Sequence, residues 1–342
     1  MADIRDVAKE AGVSPSTVSR VLNNYDNVTE PTRKKVEDAC KKLNYIPNAN
    51  ATNLRSGKTD IISFIVPAID NPFFANALKG LESKALEFNY KTIVCNTDNN
   101  IEIERNYLKM LLEKSIDGLV LATSDSDSSY ASYYKMTKEH NIPIVLFDRK
   151  LKNAEDYFDI VLGDSYLGAI KVVEHLIKIG YKDIGILTAS LNLSTSKERL
   201  EGYKKALRDN NIPIKDKNIW IDNQIGGFSI ERGYFLTKEY ILKEENIPKA
   251  FFVGNNFMAA GMYKALKEEN IKVPGDIAIT CFDDLNMVYE IKPFFTVVKQ
   301  PSYKMGEKAA EILINRIKNN NQEPPKKIMF QPELKIRASS IK

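Results

Sequence analysis

At 342 residues the chain exceeds one compact domain and suggests two or three. Its 43% hydrophobic and 27% charged residues are those of an ordinary globular protein, which excludes a fibrous or low-complexity chain. The formal charge of +4 is uneven: residues 1–58 hold 10 Lys and Arg against 7 Asp and Glu, or +3, leaving 39 against 38 elsewhere. This describes one mildly basic face and excludes a protein basic throughout.

The first predicted elements are two short amphipathic helices around a tight turn, between Ile4 and Asn24. Asp3 is placed to cap the first, and Ile4, Val7, Ala8 and Ala11 share one face at helical spacing. Gly12 ends it where a positive φ costs little. Val13 is an apolar plug, Ser14 caps the second helix, and Pro15 takes its first position. Val18, Val21 and Leu22 face inward, whereas Ser16, Arg20 and Asn23 form a polar row with one long cation. A third helix follows, capped by Thr29, with Pro31 in its first turn and Val36, Ala39, Cys40 and Leu43 as its inner stripe. Three such helices close a minimal core and describe a helix-turn-helix reader of duplex DNA over residues 1–46. Residues 47–59 form a link in which Asn48 to Arg55 spans about two helical turns, too few to be stable alone.

From residue 60 the pattern changes to apolar strands alternating with helices. Ile61–Val66, Thr92–Cys95, Gly118–Leu121, Ile144–Phe147, Ile184–Leu187, Ala250–Val253 and Ile277–Phe282 are the predicted strands, and 73–88 is a helix that follows the first of them. Buried strands separated by helices predict parallel sheets with crossover connections, here two doubly wound lobes around a cleft. The Ser/Asp-rich stretch from Ser124 to Ser132 is read as a loop leading into a helix.

The sequence proposes no catalytic set. It has no Gly-x-Gly-x-x-Gly after the first strand, no phosphate-binding Gly-rich loop, no nucleophile elbow and no zinc-protease helix. His140 and His175 are read as surface or cap residues near helix ends. Cys40, Cys95 and Cys281 lack metal-ligand spacing and are expected to be buried free thiols in a reducing compartment. No basic-then-apolar leader and no membrane-length apolar run is present, so a cytoplasmic protein is expected. Ligands of open α/β sheets bind at strand ends. Four such ends carry groups suited to a polyol: Asp70 to Phe74, Asp148-Arg149, Asn255-Asn256 and Asp283-Asp284. Asp, Asn and Arg pair with hydroxyls, and Phe offers a stacking face.

The run from Ile4 to Asn24, with Val28 to Val36 and Leu43 to Ala49, resembles the N-terminus of the lactose-repressor/galactose-repressor (LacI/GalR) family, and the similarity continues along essentially the whole chain. The resemblance implies an N-terminal all-α helix-turn-helix domain followed by a two-lobed, periplasmic-binding-protein-like α/β core. The chain would then cross between lobes near residues 162, 292 and 324. Lobe 1 would hold 60–162 and 293–324, and lobe 2 would hold 163–292 and 325–342. It further implies DNA contacts from Ser14, Ser16, Thr17, Arg20 and Asn23. Leu54 and Arg55 would act from a hinge helix, with Leu54 wedged into the minor groove. Asn50 and Thr52 stand where the family usually has Val and Arg, which implies weaker hinge pairing and a weaker DNA contact.

In the core, Ser196 to Tyr203 resembles the family's Ser-x-x-Arg-x-x-Gly-Tyr motif, which gives Arg199 the effector-holding role. Asn255 and Asp283 match effector-contacting positions and Phe228 a stacking aromatic. With Phe73, Phe74 and Asp148 they complete the expected effector set. Cys281 and Asn256 depart from the family's Gly and Asp. The implied protein is not an enzyme but a homodimeric repressor of carbohydrate-utilisation genes on a pseudo-palindromic operator. It would use no cofactor beyond a sugar or sugar-derived effector, bind no metal and have no membrane partner. The alternatives are a catabolite-control regulator that binds a phosphocarrier protein, and a sugar-binding protein or enzyme on the same core.

Overall fold

A computed structural model of the chain describes residues 2–22, 27–45, 59–113, 116–128, 130–224, 227–285, 293–319 and 323–341. The chain divides into two compact units, Met1–Thr59 and Asp60–Lys342. In the first, α1 (Ile4–Ala11), α2 (Pro15–Leu22) and α3 (Glu30–Lys42) enclose a small core of Val7, Ala8, Val18, Val21, Val36 and Ala39. Ile4, Ala11, Val13, Leu22, Cys40 and Leu43 pack around it. Asp3 closes a capping box with Asp6, accepting from the Arg5 and Asp6 amides at 2.7 and 3.0 Å. Gly12 ends α1 at φ 65°, the left-handed geometry that favours glycine. Ser14 Oγ accepts from the Thr17 amide at 3.2 Å and caps α2. Thr29 sits at the N-cap of α3 but makes no capping bond; its hydroxyl pairs instead with Thr32 at 3.0 Å, which corrects the expected cap.

The second unit contains two six-stranded sheets. Its elements in chain order are β1 (Ile61–Val66), α4 (Pro72–Glu87), β2 (Lys91–Asn96), α5 (Ile101–Glu113), β3 (Gly118–Leu121), α6 (Tyr130–His140), β4 (Ile144–Phe147) and β5 (Asp159–Gly163). Then come α7 (Ser165–Lys178), β6 (Ile184–Ala189), α8 (Ser194–Asp209), β7 (Ile219–Asp222), α9 (Ile230–Glu239), β8 (Ala250–Val253), α10 (Asn256–Glu268) and β9 (Ala278–Phe282). The last elements are β10 (Thr296–Lys299), α11 (Ser302–Asn319), β11 (Lys327–Phe330) and β12 (Glu333–Lys335). Lobe 1 has strand order β11-β5-β4-β3-β1-β2 and lobe 2 has β12-β10-β9-β8-β6-β7. Every pairing is parallel except β10 with β12, which is antiparallel. Each sheet is buried on both faces by helices, which explains the near-continuous apolar strands such as Ile-Val-Leu-Phe in β4.

The lobe boundaries need correction at two of three crossings. The first follows β5 at Asp164, which caps α7 by accepting from the Leu167 amide at 2.8 Å. The second is expected near 292, but Thr296–Lys299 pairs with β9 in lobe 2, so the chain crosses at Gln300-Pro301 before α11 packs on lobe 1. The third is expected near 324, but Lys327–Phe330 pairs with β5 in lobe 1, so the crossing falls at Gln331-Pro332. Helices α4 and α11 approach closely at paired glycines. A Cβ on Gly306 would lie 1.9 Å from the Ala77 carbonyl oxygen, and one on Gly80 would lie 2.0 Å from that of Tyr303.

Candidate functional site

In the N-terminal unit, Ser16 and Arg20 stand exposed one helical turn apart on α2, on the face away from Val18 and Val21. Thr17 is half-buried, and its hydroxyl shares a network with those of Ser14 and Ser16 at 2.7–2.8 Å. The Ser14 hydroxyl is thus committed to ordering the turn as well as facing solvent. Asn23, Asn50, Thr52, Leu54 and Arg55, with nearly all of the expected hinge, lie outside the described residues.

In the core, strand ends from both lobes converge on one cleft lined by Asn71, Phe73, Phe74, Asp148, Arg149 and Asn99 of lobe 1. Thr195, Arg199, Phe228, Asn255 and Asp283 of lobe 2 face them. All seven residues of the expected effector set line this cleft. Asp148 and Asp283 occupy equivalent places, each directly after a buried strand and each left-handed, at φ 61° and 64°. Asp tolerates this region better than most L-residues. Pro72 at the start of α4 and the Asn71 side chain, which accepts from the Phe73 amide at 3.0 Å, set the two phenylalanines at the helix start. Their rings pack edge to face at 4.9 Å.

Arg199 is buried, and its guanidinium lies 3.8 Å from the centroid of the Phe282 ring and 5.7 Å from that of Phe228. Its Nη1 donates to the Gly254 carbonyl at 2.6 Å, Nη2 lies 3.9 Å from the Asp283 carboxylate, and Nε has no partner. The residue therefore ties its helix to β8 and still keeps a buried donor unused. Across the cleft, Arg149 donates through Nη1 to Asn99 Oδ1 and to the Thr123 carbonyl, both at 3.0 Å, and its Nε makes no hydrogen bond but lies 3.9 Å from the Asp148 carboxylate. Asn255 caps α10 by accepting from the Met258 amide at 2.9 Å, so it has both a structural bond and a place in the cleft.

Burial dominates the electrostatics. It pushes the Asp283 carboxyl up to about 7, against the opposing pull of Arg199, and raises that of Asp148 against Arg149 and Arg199. It lowers Arg149 to about 10 and also lowers Arg199, with Asp148 and Asp283 opposing. Two buried cations and two buried acids thus offer donors and acceptors in equal measure, which suits hydroxyl groups that both donate and accept.

Several functional residues escape the sequence reading. Gln300, on the second crossing, donates through Nε2 to both Asp283 oxygens at 3.0 and 3.3 Å, and its Oε1 is buried without a partner. Asn99 and Thr195 line the cleft without a motif to mark them. Asn71 and Asn256, both within the strand-end groups read from the sequence, exchange reciprocal amide bonds of 3.2 Å between the lobes. Glu104 is fully buried behind the cleft, held by Tyr133, Thr123 and the Ser124 amide at 2.8, 3.1 and 2.6 Å. His175 is not a surface residue: it is buried, and its Nε2 pairs with Ser340 Oγ at 2.9 Å. Cys95 and Cys281 are buried free thiols, Cys40 is half-buried, and the described residues contain no metal-ligating cluster. Among the described residues no helix is long and apolar enough to cross a membrane.

A helical DNA-reading unit joined to a two-lobed α/β core with a polar cleft defines a ligand-binding regulator of the periplasmic-binding-protein-like class. Residues 3–48 match bacterial regulatory proteins of the lacI family, and residues 59–338 match the periplasmic binding proteins and sugar binding domain of the LacI family. The chain belongs to the LacI family of bacterial transcriptional regulators. It is 36% identical over 340 residues to the HTH-type transcriptional repressor PurR of Actinobacillus pleuropneumoniae serotype 3 (strain JL03), covering 99% of this chain and 98% of that one. Its fold is similar to that of the Lac repressor dimer bound to operator and the anti-inducer ONPF, with TM-score 0.83 and 25% identity, covering 100% of this chain and 99% of that one. It is also similar to a LacI family transcriptional regulator from Enterococcus faecium with bound ribose, with TM-score 0.70 and 29% identity, covering 82% of this chain and 98% of that one.

Proposed function

We propose that the protein is a dimeric, ligand-responsive repressor whose effector is a monosaccharide, with D-ribose the first to test. It reads a pseudo-palindromic operator through Ser14, Ser16, Thr17, Arg20 and Asn23 of paired helix-turn-helix units, with Leu54 and Arg55 acting from the hinge. The observation that carries the effector reading is the convergence of Asp148-Arg149 and Arg199-Asp283 from opposite lobes on one cleft. A small sugar presents hydroxyls around its whole rim, and this cleft surrounds its contents with acids, guanidiniums and amides, with Phe73, Phe74 and Phe228 as apolar faces. The Enterococcus faecium regulator with bound ribose supports the choice of sugar. Contacts from both lobes let ligand and operator bias the same lobe arrangement, which couples them thermodynamically.

A purine base is the second effector to test, favoured by the relatives at 34–36% identity that carry the name PurR. A flat base has polar atoms only at its edge and leaves several of the cleft's charged groups without partners. Thermal-shift titration separates the two, because a ligand of the native state raises its melting temperature. D-ribose should raise it, and adenine, guanine and hypoxanthine should not. A shift with a purine and none with ribose or other monosaccharides overturns the sugar reading.

A further inference from the structure

The helix that carries Arg199 has no N-cap of its own. Four other core helices are capped by a side chain just before them: α4 by Asn71, α7 by Asp164, α9 by Ser229 and α10 by Asn255. Helix α8 begins after Leu193, whose side chain can accept nothing. Its missing acceptor comes from the opposite lobe. Ser126, in the loop between β3 and α6, accepts the Ser194 amide proton on Oγ at 3.0 Å. The Ser126 amide donates in turn to the Asn192 carbonyl at 3.0 Å, and its carbonyl accepts from the Lys152 amide at 2.9 Å.

Further bonds frame this contact. The Lys150 amide donates to Ser194 Oγ at 3.1 Å, Lys150 Nζ pairs with Glu198 at 2.7 Å, and Lys197 Nζ bridges to Asp127 at 3.0 Å. The two ion pairs are partly exposed and contribute little by themselves. Ser126 is buried, so loss of its hydroxyl would leave the Ser194 amide without a partner inside the protein. The loop is anchored from below, since buried Glu104 binds the Thr123 hydroxyl and the Ser124 amide.

We propose that Ser126 is a lobe latch: it caps the Arg199 helix in trans, so that the first turn of α8 is fully formed only when the cleft is closed. Opening the cleft withdraws the cap from the turn that presents Thr195 and precedes Arg199. Closure and preorganisation of the effector-binding helix then become one event, and Ser126 is a positioning residue that acts through α8. The link to effector affinity rests on the proposed sugar reading; the latch itself does not.

Hydrogen-exchange mass spectrometry on the full-length protein, with and without D-ribose, tests both. In Ser126→Ala, exchange in the peptide covering 191–199 should speed up about fivefold, as loss of one cap implies. Exchange in β8 should stay unchanged, and ribose affinity should fall by a similar factor. Ser126→Thr, which keeps the acceptor, should restore both. Unchanged exchange at 191–199 in Ser126→Ala overturns the latch, as does weaker ribose binding with unchanged exchange. Faster exchange in the alanine variant, with no ribose binding by any variant, supports the latch and overturns the ribose reading.

Discussion

Asp283→Asn should stabilise the protein, and more so as the pH rises. The wild-type carboxyl titrates near 7 in the folded protein because burial outweighs the attraction of Arg199, against an ordinary value of 3.8. Between those two pH values the folded state holds a proton that the unfolded chain releases, so stability falls as pH rises. The rise from 3.8 to about 7 corresponds to roughly 4 kcal/mol across the whole window. About 3 kcal/mol of that loss falls between pH 5 and pH 8.5. Asparagine cannot ionise and escapes the penalty. It also matches the protonated acid in shape, and the unpartnered Gln300 Oε1 can accept from its amide once the Gln300 side chain turns over. Urea unfolding of both proteins at pH 5 and pH 8.5 measures the effect. The difference in stability between variant and wild type should shift by about 3 kcal/mol in favour of the variant at the higher pH. A difference that does not change with pH, or one that favours wild type more at pH 8.5, would mean that the folded protein does not hold a proton on Asp283 across this range.

Other outcomes follow from the same geometry. Arg199→Ala should abolish the ribose-induced thermal shift. It should also cost the ligand-free protein about 1–2 kcal/mol in urea unfolding, since it removes the bond to Gly254 and the stack on Phe282. A ribose shift equal to that of wild type would take the arginine out of the site. Arg20→Ala should cost about 1–3 kcal/mol on operator DNA in fluorescence anisotropy, with little change on random duplex; an equal loss on both makes it a phosphate contact. Gly306→Ala should destabilise the core by about 1–3 kcal/mol or more, because the new methyl would meet the Ala77 backbone and not a movable side chain. An unchanged melting temperature would show that α4 and α11 can separate at no cost.

The helices of the N-terminal unit are legible because each has one inward stripe, and Val7, Val18, Val21 and Val36 are the residues that periodicity places there. Central strands such as β3, β4 and β8 are legible as short unbroken apolar runs. The strands that the apolar pattern does not reveal are β5, β7, β10, β11 and β12. Several lie at sheet edges or are half-exposed, so that Lys-Ile-Met-Phe in β11 and Glu-Leu-Lys in β12 resemble turns and loops. Without β10 and β11 two lobe crossings are displaced and Gln300 stays hidden, because its role depends entirely on where the chain crosses. Asp283 is legible because motif and strand-end position agree, Asp148 from its strand-end position alone, and Arg199 from its motif alone. Glu104 is not, since it follows Glu102 and precedes Arg105 on an amphipathic helix, where a carboxylate normally marks the solvated face. Only the fold shows it to be fully buried. Ser126 is equally hidden, because a cap borrowed from residues 68 positions away leaves no local pattern.

Control of DNA binding by a sugar in the cleft should be visible on an operator selected by the protein itself from random duplexes. Its affinity should be measured by fluorescence anisotropy while D-ribose is titrated. The selected site should be dyad-symmetric, with an affinity that changes with ribose in wild type and is insensitive to it in Arg199→Ala. A wild-type affinity that stays the same at ribose concentrations that saturate the thermal shift would contradict it.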